Sequence, residues 1–207
     1  FFYENPLELD PDFNDINTAT KQKERFPITQ RLEVFDCSCC PPNVLRFVGS
    51  IAGLLYSFDD ETVYVHQYMD SKANTDGIKI TQKTQYPANG KITVQCEAKQ
   101  NYIALRIPRW CRSFTANREY VMKNGYAYIT LDGCGEIELE FDMPVRMIAA
   151  NRRVHASAGR VAVMRGPVVY CAEGVDNGND MKSTTLDIHS KFELEESDFL
   201  LPVLKTA

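Results

Sequence analysis

The sequence is poor in the residues and patterns that most directly announce a chemistry. It holds three histidines and one tryptophan in 207 residues, and it lacks a glycine-rich phosphate-binding motif, an internal repeat and a low-complexity tract. His66 and His155 fall on or beside strand-like runs and His189 in the C-terminal stretch, none with a second ligand at zinc spacing. That pattern excludes a histidine metal centre and leaves structural or surface roles for all three. Basic clusters are missing and the formal net charge is −5, which excludes a nucleic-acid partner. No run approaches the ~18 apolar residues of a membrane span, and the longest apolar stretch is interrupted by Gly49, Ser50 and Gly53. A disulfide framework is also missing, because the seven cysteines are odd in number and four of them (Cys96, Cys111, Cys134, Cys171) are scattered. Reduced thiols suit a cytoplasmic protein and leave the periplasm open. The chain shows neither a signal-peptide pattern nor an initiator Met and opens on the apolar Phe1-Phe2-Tyr3, so we expect a piece of a longer protein.

What the sequence does have is a cluster of three thiols within four residues, Cys37-Ser38-Cys39-Cys40, followed by Pro41-Pro42-Asn43. From Val44 onward apolar residues recur at three- and four-residue spacing (Val44, Leu45, Phe47, Val48, Ile51, Leu55), which predicts a largely buried helix running to about Ser57. Proline suits the first turn of a helix, where the amide it lacks has no partner. Cys39 and Cys40 therefore belong at a helix N-terminus, where unpaired amides and the helix dipole favour negative charge. A thiolate is both nucleophile and metal ligand. Buried cysteines often serve only as small apolar side chains, but packing does not call for clustering. The cluster points to a reactive or metal-bound pair.

From Glu61 the period changes from helical to two. Val63 and Val65 share one face with Gln67, and Ile137, Leu139 and Phe141 point inward together. Asn89-Gly90 and Asn124-Gly125 are the strongest hairpin signals. About nine short strands predict an antiparallel β-sandwich over residues 59–175. Cys96 and Cys171 lie in strand-like runs and are expected in the core; Trp110 at a strand end is expected to pack at a sandwich corner. Residues 10–23 read as a polar surface loop, and residues 176–207 as a linker or one more strand region.

The run Phe35-Asp36-Cys37-Ser38-Cys39-Cys40-Pro41-Pro42-Asn43-Val44-Leu45-Arg46 resembles the signature of glycoside hydrolase family 127, known for β-L-arabinofuranosidases. The resemblance extends to Phe2–Glu8, to Leu105–Trp110 and to Arg165–Asn177, in order along the chain. It implies that residues 1–58 are the last helical part of an (α/α)6 catalytic barrel and that the β-sandwich follows. It also implies a retaining hydrolase acting on furanosides, with zinc as cofactor. Cys39 would be nucleophile and zinc ligand, Cys40 a second ligand, and Tyr3 a contact to the sugar. Cys37 matches the motif without a ligand role. The partners would be a carbohydrate substrate and the rest of the barrel. The other two ligands (a Glu and a Cys) and the acid/base Glu would lie upstream, leaving this piece inactive by itself. Two rivals remain on sequence grounds. A carbohydrate-binding β-sandwich module predicts an exposed aromatic platform, and a zinc- or redox-responsive structural protein predicts metal effects without sugar turnover.

Overall fold

The structure, a computed structural model, describes residues 39–206 other than 134, 179, 181, 182 and 199. Tyr3, Cys37 and the expected loop at 10–23 lie outside the described residues. The chain divides into two units, residues 1–54 and 55–207.

The described part of the first unit is helix α1 (Cys40–Ser50) and a 3-10 turn (Ile51–Leu54). Pro41 and Pro42 occupy the first turn, and Asn43 Oδ1 accepts a hydrogen bond from Arg46 Nη2 at 2.6 Å. The helix is shorter than expected, since Gly49, Ser50 and Gly53 are weak helix formers. Its burial also departs from expectation: Leu45, Phe47 and Val48 are exposed and no residue of α1 is buried. Among the described residues of this unit there is only this helix and turn, and an apolar stripe needs a second layer to cover it.

The second unit is β-rich. The first five strands are β1 (Tyr56–Phe58), β2 (Thr62–Val65), β3 (Ser71–Thr75), β4 (Ile78–Thr84) and β5 (Lys91–Glu97). The next five are β6 (Tyr102–Arg106), β7 (Phe114–Ala116), β8 (Val121–Lys123), β9 (Tyr126–Thr130) and β10 (Gly135–Phe141). They form two five-stranded sheets, ordered β1-β2-β6-β9-β8 and β3-β4-β5-β10-β7. Val63, Val65, Ile103, Leu105 and Ile129 of the first sheet share one core with Ile78, Ile80, Ile92, Val94, Ile137, Leu139 and Phe141 of the second. This is the expected sandwich, with one difference: β2 and β6 pair in parallel. Between them the chain crosses to build β3, β4 and β5, a connection long enough for a parallel return. Gln67, expected on the inner face, lies beyond the end of β2 and is exposed.

Three further strands, β11 (Val145–Ala149), β12 (Val161–Arg165) and β13 (Val168–Tyr170), make a separate antiparallel sheet. A one-turn helix, α2 (Gly174–Asn177), precedes a final antiparallel pair, β14 (Phe192–Glu195) and β15 (Val203–Thr206). Cys96 is core, as expected, whereas Cys171 follows the last residue of β13 and is exposed. Trp110 is half-buried, 5.8 Å from the Phe141 ring and stacked at 6.4 Å on Tyr86.

Turn chemistry explains two hairpins and not a third. Asn124 and Gly125 both have positive φ (52° and 82°), the conformation a two-residue primed turn demands. Asp76 and Gly77 do the same between β3 and β4. Gly90 is different: it lies against β10, where an added Cβ would fall 2.1 Å from the Phe141 carbonyl oxygen. Phe141 N–H donates to the Gly90 carbonyl at 3.0 Å, so Gly90 is required by a close approach of two backbones.

Candidate active site

Helix α1 sets the cysteine pair. Cys39 is its N-cap residue and Cys40 its first helical residue, and both side chains are exposed. The Cys39 side chain makes no capping hydrogen bond, because the second and third helical residues, Pro41 and Pro42, have no N–H to donate. The two Sγ atoms lie 3.8 Å apart. Zinc–sulfur bonds of about 2.3 Å in a tetrahedral arrangement separate two sulfurs by about 3.8 Å. The donor chemistry and the spacing of Cys39 and Cys40 therefore fit two positions of one zinc ion. Among the described residues, no group of three or more His, Cys, Asp or Glu side chains is arranged to hold a metal. Tyr3, the expected sugar contact, and Cys37 lie outside the described residues.

Two other sequence candidates, Cys111 and His66, serve the fold. Cys111 Sγ donates to the Ser113 carbonyl at 3.0 Å, and burial raises its pKa. His66 bridges Ser57 Oγ (2.7 Å) and Tyr126 Oη (2.8 Å) on the outer face of the first sheet. Burial, and then the positive charge of Arg106, hold its pKa below 6.5. A neutral ring joining two hydroxyls is a sheet-surface brace.

One feature escaped the sequence reading: a groove of about 630 Å³ on the outer face of the first sheet, lined by Asp59, Tyr64, Tyr102, Glu119, Tyr120 and Tyr128, among others. The signal lay in the alternation itself, which puts Tyr64 and Tyr128 opposite the inward Val63, Val65, Ala127 and Ile129.

Comparison with known proteins identifies the family. The model of the Beta-L-arabinofuranosidase, GH127 middle domain, matches residues 62–143. The model of the glycoside hydrolase family 127 C-terminal domain matches residues 145–200. The chain is 35% identical to a non-reducing end beta-L-arabinofuranosidase of Bifidobacterium longum over 87% of its own length and 29% of that protein's. Among solved structures it resembles a GH127 beta-L-arabinofuranosidase from Geobacillus stearothermophilus T6, with a TM-score of 0.77 and 37% identity, covering 99% of this chain and 34% of that one. A second, a GH127 beta-arabinofuranosidase, is similar with a TM-score of 0.72 and 32% identity, covering 85% of this chain and 33% of that one. The chain thus spans about a third of the length of the relatives it matches. Two adjoining domain models of one family match in order, as do relatives that extend over the cysteine pair, and so the chain belongs to glycoside hydrolase family 127.

Proposed function

We propose that the chain is part of a retaining glycoside hydrolase that removes β-L-arabinofuranosyl units, with Cys39 as nucleophile. The observation that carries this reading is the pair of sulfurs 3.8 Å apart at the start of a helix. Cys39 and Cys40 are the two ligands this chain would give to zinc, which when bound supplies the positive charge that keeps thiols deprotonated. The N-terminal end of α1 favours the same negative charge. Cys39 Sγ forms a bond to the anomeric carbon as the bond to the leaving oxygen breaks. That oxygen takes a proton from a carboxylic acid contributed from outside this chain. Water then attacks the same carbon, gives its proton back to that carboxylate and releases Sγ. Two displacements at one carbon return the sugar with its configuration retained. Tyr3 would lie against the sugar. The rest of an (α/α)6 barrel would supply the acid and the other two ligands, and residues 59–175 would be the β-sandwich that follows it along the chain.

The test is turnover of 4-nitrophenyl β-L-arabinofuranoside by the whole protein. Cys39→Ser should lower the rate about a thousandfold or more. Cys40→Ser should lower both rate and bound zinc. Wild-type turnover by Cys39→Ser, or an inverted first product seen by NMR, would rule the reading out.

A further inference from the structure

The groove on the outer face of the first sheet is built unlike an ordinary solvated sheet face. The register places Tyr64, Ala104, Tyr128 and Val121 in one row across β2, β6, β9 and β8, and Thr62, Tyr102 and Thr130 in the next. Ala104 is fully buried and leaves room for the two flanking tyrosines to meet edge to face, with ring centroids 6.2 Å apart. Cross-strand aromatic contact explains Tyr64 and Tyr128 as sheet stabilisers. It does not explain Tyr102, which is 40% exposed and has no ring partner among the described residues; Tyr120, also 40% exposed, packs one side of its ring on Phe114, centroids 4.9 Å apart, and leaves the other side open.

One polar group of the groove, Asp59, is also held in place. Asp59 accepts from the backbone N–H groups of Glu61 (2.9 Å) and Thr62 (2.8 Å), and its second oxygen accepts from the Tyr64 hydroxyl at 3.0 Å. Those backbone bonds keep its pKa below the usual 3.8, so it is a permanent acceptor at neutral pH. Glu61 and Glu119 add two more carboxylates. A negative rim of this kind repels anionic ligands. Lys123 lies over the Tyr128 ring, its Nζ 5.6 Å from the centroid, so that ring face is already covered. Exposed rings beside carboxylate acceptors suit a neutral ligand with apolar C–H faces to lie on the rings and many hydroxyls to donate to the carboxylates.

We propose that this outer face is a binding surface for a neutral saccharide chain, with Tyr102 and Tyr120 as its stacking residues and Asp59 and Glu119 as its hydroxyl acceptors. The proposal does not rest on the Cys39 chemistry, and its test reads binding, never turnover.

The test is affinity electrophoresis of the full chain through gels containing arabinan, dextran or polygalacturonate. We expect retardation in a neutral gel and none in polygalacturonate. Tyr102→Ala with Tyr120→Ala should weaken retardation about tenfold, read as the polysaccharide concentration needed for half-maximal effect. Glu119→Gln changes a single exposed carboxylate without touching the sheet and should weaken it severalfold. Free migration in both neutral gels overturns the proposal, as does retardation in polygalacturonate alone. Retardation that survives both the paired tyrosine change and Glu119→Gln overturns it as well.

Discussion

Replacing Gly90 with alanine asks whether the fold has been understood at the one place where sequence and structure assign a residue different jobs. If Gly90 were a turn glycine, alanine would meet only backbone strain. In the structure its Cβ would fall 2.1 Å from the Phe141 carbonyl oxygen, far inside contact distance. The 85–90 loop must then move away from β10, weakening the Phe141 N–H to Gly90 carbonyl bond of 3.0 Å. Losing that bond costs about 1 kcal/mol and overpacking about 1–3 kcal/mol, offset by about 0.5–1 kcal/mol of unfolded-state entropy, for a net loss of about 1–3.5 kcal/mol. Gly125 is the internal control, with φ of +82° and open space around its missing Cβ. Gly125→Ala meets only left-handed strain and should cost about 1 kcal/mol or less after the same offset. Urea unfolding followed by the fluorescence of Trp110 reports on the right place, because its ring lies 5.8 Å from Phe141. A Gly90→Ala midpoint at or above that of Gly125→Ala would refute the close-approach reading.

Three other outcomes follow from the same structure. Leu105 is fully buried between the sheets, so Leu105→Ala should cost about 3–5 kcal/mol, whereas Val169→Ala, at a site 62% exposed, should stay within about 0.5 kcal/mol; equal midpoints in urea would misplace the core. His66 is held below its unfolded value of 6.5 by burial and then by Arg106, so the unfolded chain takes up that proton first. Its contribution is complete above about pH 6.5 and is lost as pH falls through the folded value; the unfolding midpoint should drop between about pH 7 and about pH 5, less steeply in His66→Gln. Parallel pH profiles for the two proteins would contradict this. Asp59, whose pKa is lowered chiefly by the Glu61 and Thr62 amides, stabilises above its unfolded value of 3.8 and loses that effect as pH falls through its folded value; Asp59→Asn should flatten the acid limb of the profile, and an unchanged limb would count against it.

What was legible in the sequence was local. The alternation of Val63 and Val65, and of Ile137, Leu139 and Phe141, announced which faces would be buried, and Asn124-Gly125 announced a hairpin. The Pro-Pro pair placed Cys39 and Cys40 at a helix start, and adjacency in the chain brings their sulfurs together. What was not legible depends on partners far along the chain. The parallel pairing of β2 with β6 is decided by residues some forty positions apart, and no local pattern encodes it. Gly90 looked like half of a hairpin turn because its real constraint, the carbonyl of Phe141, lies fifty residues downstream. The apolar stripe of α1 was read as buried, yet a stripe records only that a helix needs a partner, never where the partner is. The tyrosine groove draws on β2, β6 and β9 and on residues 119–121, and it exists only once those strands are in register.

The proposed attack of Cys39 on the anomeric carbon of an arabinofuranoside has a direct chemical readout. The most direct measurement treats the whole protein with an arabinofuranosyl reagent bearing a reactive anomeric substituent and locates the adduct by peptide mass spectrometry. The account predicts a single glycosyl adduct on Cys39, absent in Cys39→Ser; an adduct on Cys37 or Cys40 instead, or none on any cysteine of an active protein, would contradict it.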